Sequence, residues 1–236
     1  MIMSTIAHNL QAVDASIVEA ARAAGRKPGE VRLLAVSKTF PAEAVLEAIG
    51  AGQRAFGENY LQEALDKMAA VSDALPGQQV EWHFIGPIQS NKTRPIAASF
   101  AWVHTVDRLK IAQRLSEQRP EQLGPLNICL QVNISGEVSK SGAAPDELLE
   151  LARHVAQLPR LRLRGLMAIP EPETDFNKQR AAFRRLRELA DSVSAHGIVL
   201  DTLSMGMSAD LAAAVVEGST MVRVGSAIFG VRKYES

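Results

Sequence analysis

The sequence predicts a closed (β/α)8 barrel, a TIM barrel, with one extra helix at its N-terminal end. Three observations lead there. Short apolar, β-branched runs alternate with longer amphipathic patterns along the whole chain, the signature of parallel strands joined by helical crossovers. Eight such runs can be read off, and eight strands close a barrel of this kind. The chain has 236 residues, close to the roughly 250 typical of the fold, so residues 1–236 read as a single domain.

The first element is an amphipathic helix over Ser4–Ala24. Its apolar residues Ile6, Leu10, Val13, Ile17, Val18 and Ala21 fall on one face, and Gly25 ends it. The expected strands follow at Arg32–Ser37, Arg54–Glu58, Glu81–Ile85, Trp102–Thr105, Asn127–Asn133, Leu163–Ala168, Thr202–Met205 and Met221–Ile228. Helical patterns lie between them at Ala42–Ala51, Tyr60–Ala70, Arg108–Glu117, Pro145–Gln157, Thr174–His196 and Ala209–Glu217. Strands this apolar suit a sheet covered on both faces. An open doubly wound sheet is the rival, but the turn after the first strand, Lys38-Thr39-Phe40-Pro41, is not glycine-rich. The segments Gly86–Pro95 and Ser135–Pro145 read as irregular loops on the side of the barrel where chemistry is kept.

Composition narrows the function. The net charge is +0 and 22% of residues are charged, which gives no footprint for nucleic acid or an anionic membrane. The arginines between Arg180 and Arg187 read as the solvated face of a helix. The lone cysteine, Cys129, sits in an apolar run and reads as a core thiol in a reducing compartment. No stretch approaches the roughly 20 apolar residues of a membrane span, and the N-terminus lacks the pattern of a secretory signal. The expectation is a cytoplasmic protein, and a monomer, because no exposed apolar face is evident.

Active-site groups of such barrels sit at the C-terminal ends of the strands. Lys38 closes the first run, where partial desolvation would favour the neutral amine that Schiff-base chemistry needs. Position alone leaves open a lysine that merely marks the strand end. Ser204-Met205-Gly206-Met207-Ser208-Ala209-Asp210 is a turn with a flexible glycine, and Ser208 is expected to cap the helix behind it. Gly225-Ser226 supplies a second small turn with free N–H groups. Barrel phosphate sites are frequently built from these two loops. Arg223, two residues before Gly225, shares its face and would point into the barrel. Two partners are open to it: a carboxylate such as Glu58, or the ring nitrogen of a bound pyridine. His83, His104, His8, His154 and His196 show no metal-ligand spacing and read as core or surface histidines.

These segments together resemble the pyridoxal phosphate homeostasis proteins. The resemblance is carried by Leu34–Thr39, Phe56–Tyr60, Trp82–Gly86 with Gln89–Lys92, Val132-Asn133 with Lys140-Ser141-Gly142, Gly165–Met167, Leu203–Asp210 and Val222–Gly225 with Ile228–Gly230. It runs from about Arg32 to Tyr234 without a departure at the motif positions. It implies a barrel similar to the N-terminal domain of alanine racemase, holding pyridoxal 5′-phosphate as a Schiff base on Lys38. It further implies a phosphate near Ser208, Gly225 and Ser226, Arg223 at the pyridine nitrogen, and Asn59 lining the pocket. The function implied is buffering the cofactor or delivering it to apo enzymes, with effects on amino- and keto-acid balance and no catalytic turnover. An amino-acid racemase or decarboxylase is the alternative. The barrel consumes the chain by about Phe229, so a second domain carrying an opposite-face base is not expected. A Schiff-base aldolase or phosphate-ester enzyme without the cofactor is a third reading. In the loop Ser135–Pro145, Lys140 reads as solvated, with a second, transient amine for the cofactor as the other option.

Overall fold

The computed structural model describes residues 4–136 and 141–230. Lys140, singled out as a possible second amine, lies outside the described residues. Eight parallel strands close on themselves in sequence order: β1 (Arg32–Val36), β2 (Ala55–Glu58), β3 (Glu81–Phe84), β4 (Trp102–Val106), β5 (Leu126–Gln131), β6 (Leu161–Met167), β7 (Thr202–Ser204) and β8 (Met221–Val224). Around them run α1 (Thr5–Ala23), α2 (Ala42–Gly50), α3 (Leu61–Ala74), α4 (Thr93–Ser99), α5 (Leu109–Gln118), α6 (Leu148–Ala156), α7 (Phe176–Ala195), α8 (Leu211–Val216) and α9 (Ser226–Phe229). The barrel closes where β1 pairs with β8, with Leu34 opposite Arg223 and Ala35 opposite Val224.

Two elements differ from the sequence reading. The segment read as an irregular loop ends in α4, although Pro95 lies in that helix. A proline in the first turn removes an N–H that would have no helical partner anyway, so it does not break the helix. The last strand ends at Val224 rather than Ile228. The Gly225 carbonyl accepts the N–H groups of Ile228 and Phe229 at 2.9 and 3.0 Å, which turns the chain into the short α9.

The main core lies between strands and helices and includes Phe56, Phe84, Ile96, Phe100, Leu115, Leu130, Phe183 and Leu186. The helix α1 packs on α2, α8 and α9. Beyond it, Arg26 ties the N-terminal segment to the carbonyls of Val215 and Ser219. Alternation along the strands sends the remaining residues inward. Leu34, Ala55 and Met221 form one small interior cluster, and Trp102, Cys129 and Met167 another. Polar residues His83, His104, Ser204 and Arg223 are buried in this interior too. Gly165 is required here: a Cβ on it would lie 1.7 Å from the Thr202 carbonyl oxygen of the adjacent strand.

Three further expectations resolve. Cys129 is a buried thiol pushed up to about 12 by burial, as a core cysteine should be. Arg180, Arg184 and Arg187 are not simply a solvated helix face. Their spacing directs all three at Glu217, which is buried at 1% exposure, with contacts of 2.8, 3.0 and 2.9 Å. No helix among the described residues is long and apolar enough to cross a membrane.

Candidate functional site

Lys38, Asn59, Ser208, Arg223, Gly225 and Ser226 line one cleft of 270 Å3 at the C-terminal end of the barrel, together with Val36, Ile85, Ile169, Met207 and Ala209. All six residues singled out in the sequence therefore meet. A wider hollow of 790 Å3 adjoins through Ile169, Met207 and Ala209. Ile169 and Met207 are 45% and 39% exposed, so the rim of the cleft is apolar, contrary to the expectation that no apolar surface shows.

The segment that carries Lys38 is anchored from below. Ser37 points outward, and its hydroxyl donates to Glu58 Oε1 at 2.6 Å. The Ser37 carbonyl accepts from Lys67 Nζ at 2.8 Å, and the Thr39 N–H donates to Glu63 Oε1 at 2.6 Å. Lys67 Nζ also donates to Glu58 Oε1 and Glu63 Oε1, at 2.6 and 3.0 Å. Thr39 itself has φ 67°, a left-handed conformation that a β-branched residue adopts at a cost of order 1–3 kcal/mol. Three bonds, two at Ser37 and one at its own N–H, hold it there, and with it the direction in which Lys38 leaves the strand. Glu58 and Lys67 are both buried. Burial pushes the Glu58 carboxyl above its ordinary range, with Lys67 and Ser37 opposing.

That arrangement excludes Glu58 as the partner of Arg223. Gly57 faces inward, because a Cβ on it would meet the side chains of Ile85 and Leu34. Glu58, the next residue, must therefore face outward to α3. Arg223 instead donates through Nη1 to the Ser204 carbonyl and hydroxyl oxygens, at 2.6 and 2.8 Å, and through Nη2 to the Ala168 carbonyl at 3.0 Å. A guanidinium has five N–H hydrogens. Three are used, which leaves Nε–H and one Nη2 hydrogen without a partner among the described residues. Burial lowers this guanidinium to about 10, so it is still charged at neutral pH.

Asn59 lines the cleft two strands from Arg223. Its Oδ1 is buried and has no hydrogen-bond partner among the described residues, a state that costs about 1–3 kcal/mol unless something enters to satisfy it. Gly86 permits this placement: a Cβ there would lie 2.3 Å from the Asn59 carbonyl oxygen. Ser208 is not the cap of α8, as the sequence suggested. Asp210 holds that position without a side-chain bond to the helix; its Oδ1 accepts instead from the Met207 N–H at 2.6 Å and closes the turn around Ser208. A carboxylate two residues on satisfies the turn better than the serine hydroxyl does, which leaves Ser208 exposed on the cleft. Gly206, at φ 96°, supplies the close packing, since a Cβ on it would lie 2.6 Å from Ala214 Cβ. Gly225 caps α9 and Ser226 is its first residue.

The sequence reading did not single out Lys67 or Glu63, gave Ser204 no partner, and placed His83 and His104 only as core or surface histidines. Both histidines are core residues, each 0% exposed. They are hydrogen-bonded to each other inside the barrel at 2.9 Å. Their positions at alternate residues of β3 and β4, each in phase with inward neighbours, were the available signal.

A closed parallel barrel with an amine, an arginine and two small-residue turns at its C-terminal mouth is the class of domain that the alanine racemases carry at their N-terminus. The family model described as alanine racemase, N-terminal domain, matches residues 6–233. Within that class, the chain belongs to the family of pyridoxal phosphate homeostasis proteins. The member from Pseudomonas aeruginosa is 66% identical over 232 residues, covering 98% of each chain. PipY of Synechococcus elongatus, solved with PLP bound, is 37% identical with a TM-score of 0.83, over 95% of this chain and all of that one. Alanine racemase from Corynebacterium glutamicum shares the fold, with a TM-score of 0.68 at 18% identity, over 97% of this chain and 60% of its own.

Proposed function

We propose that this protein binds pyridoxal 5′-phosphate on Lys38 and serves cofactor homeostasis, buffering the cofactor or delivering it to apo enzymes without turnover of its own. The observation that carries this reading is the convergence of the six residues on one cleft in which an amide oxygen is left unsatisfied and a guanidinium keeps two unused donors. These groups fit the cofactor. When bound, it supplies an aldehyde for a lysine amine, a pyridine ring and a phosphate dianion. Lys38 is the amine, and its anchored segment sets the approach. Arg223 offers its spare N–H groups to the ring nitrogen, and Asn59 offers its unsatisfied amide to a polar ring substituent. The backbone N–H groups and hydroxyls around Ser208, Gly225 and Ser226 receive the phosphate.

The names of the relatives support the same role, since the Pseudomonas aeruginosa and Escherichia coli proteins are both called pyridoxal phosphate homeostasis proteins. A mouth that widens into a second hollow suits cofactor exchange better than a reaction that must exclude water. The reading takes residues 1–236 as one cofactor-binding unit, monomeric and cytoplasmic, with apo enzymes as its protein partners.

The test is an absorbance spectrum of the protein with added pyridoxal phosphate, then borohydride reduction and peptide mapping. A lysine-bound cofactor band and a reduced adduct on Lys38 are expected, with no amino-acid racemization or decarboxylation in the same preparation. Lys38→Ala should lose both band and adduct while keeping the unfolding midpoint. A retained adduct in that variant would remove Lys38 from the site, and turnover by the native chain would make it an enzyme.

A further inference from the structure

One hydrogen-bonded chain runs through the barrel interior behind the cleft. Arg223 Nη1 donates to Ser204 Oγ at 2.8 Å. Ser204 Oγ lies 2.8 Å from His104 Nδ1, His104 Nε2 lies 2.9 Å from His83 Nδ1, and His83 Nε2 lies 2.9 Å from Glu81 Oε1. Glu81 opens β3 at the N-terminal side of the barrel, and Arg32 Nη2 contacts the same Oε1 at 2.8 Å. Ser204, His83 and His104 are each 0% exposed.

The ends of this chain fix its direction. A guanidinium has no acceptor, so Arg223 must donate to Ser204. At the other end the Glu81 carboxylate can only accept, so His83 Nε2 donates to it; with both rings neutral, His83 Nδ1 then accepts from His104, and His104 Nδ1 accepts the serine hydrogen. The proton of each ring therefore sits on Nε2. Every link has one donor and one acceptor when both rings are neutral and in the Nε2–H form. Burial favours neutral rings, holding both histidines below their usual value, while the His83 N–H and Arg32 hold Glu81 down at about 2. Reversing any single link would set hydrogen against hydrogen or lone pair against lone pair.

We propose that Ser204, His104, His83 and Glu81 are positioning residues for Arg223, a one-way chain through two neutral rings that locks the guanidinium with its unused N–H hydrogens turned to the cleft. This rests on the reading of Arg223 as the partner of the pyridine ring. Arg223 has no carboxylate among its hydrogen-bond partners in the described residues, so its orientation comes from three acceptors, and one of them, the Ser204 hydroxyl, accepts well only while its own hydrogen is committed elsewhere. His104 makes that commitment, and Glu81 terminates it with a negative charge at the far end.

Two measurements test this. The first is long-range 1H–15N correlation of the histidine rings in the cofactor-free chain at neutral pH. Two neutral Nε2–H rings are expected for His83 and His104. An Nδ1–H ring or an imidazolium at either position overturns the directional chain. The second is titration with 15N-labelled pyridoxal phosphate, followed by absorbance and by the pyridine nitrogen shift. His104→Phe should weaken binding about tenfold and move the pyridine nitrogen signal, with the adduct still trapped on Lys38. Ser204→Ala, a smaller change, should do the same if the Phe variant does not fold. Unchanged affinity and unchanged nitrogen shift in a folded variant overturn the positioning role. Absence of any cofactor adduct in the native chain would instead defeat the cofactor reading, and the ring tautomers would still report on the chain.

Discussion

Replacing Lys67 by Met keeps the length of the side chain and removes its charge beneath the Lys38 segment. The ammonium is 2% exposed and is shared by Glu58, Glu63 and the Ser37 carbonyl. Without it, the fully buried Glu58 keeps one bond, from the Ser37 hydroxyl, and its Oε2 already has none. Breaking a buried pair from one side costs about 3–5 kcal/mol. The carboxyl can limit that loss by taking a proton. From an ordinary value of 4.5, protonation at pH 7 costs about 3.4 kcal/mol, and at pH 5 only about 0.7. The expected penalty is therefore about 3–4 kcal/mol at pH 7, roughly 10 °C in Tm for a chain of this size, falling to about 1–2 kcal/mol at pH 5, where mainly the lost hydrogen bonds remain. Urea unfolding at the two pH values measures both numbers. Adding Glu58→Gln to Lys67→Met should recover at least half the loss at pH 7. A single variant within 1 kcal/mol of the native chain, or a penalty indifferent to pH and to the second substitution, would refute the account of the buried pair.

Three other outcomes are expected. Arg223→Ala should weaken cofactor binding without abolishing the adduct on Lys38, because amine and phosphate contacts remain; equilibrium dialysis checks it, and an unfolded variant would make the arginine purely structural. Burial holds His83 and His104 in the folded chain below the ordinary histidine value of 6.5 at which they titrate unfolded. The unfolded state thus binds more protons below that value, and stability should fall with decreasing pH by up to about 1.4 kcal/mol per unit for each ring. Urea midpoints between pH 8 and 5.5 measure this, and His104→Leu should flatten the slope. Gly165→Ala places a Cβ 1.7 Å from the Thr202 carbonyl oxygen, so β6 and β7 must part; a loss of about 3 kcal/mol or more is expected, and a Tm within 2 °C of native would show that the strands yield easily.

The sequence by itself determined the barrel, because strand and helix periods differ and eight repeats of the alternation leave one closed solution. It also located the cleft. Lys38, Ser208 and Gly225 each lie just past a strand, and a parallel barrel brings all such positions to one rim whatever the details of packing. What it did not contain were the partners. Ser204 and His104 are 100 residues apart in the chain, and their 2.8 Å contact depends on the stagger between strands, which small shifts of register at β4 and β5 adjust. Glu58 was a plausible partner for Arg223 only while the facing of β2 was unassigned; the inward Gly57 turns it toward Lys67 instead. The turn was equally local and equally hidden, since Ser208 and Asp210 are both good capping residues and only the folded loop put Asp210 at the cap position. Periodicity is a property of one segment and can be read there. Hydrogen-bond partnership belongs to two segments at once, and only the folded barrel brings them within 3 Å.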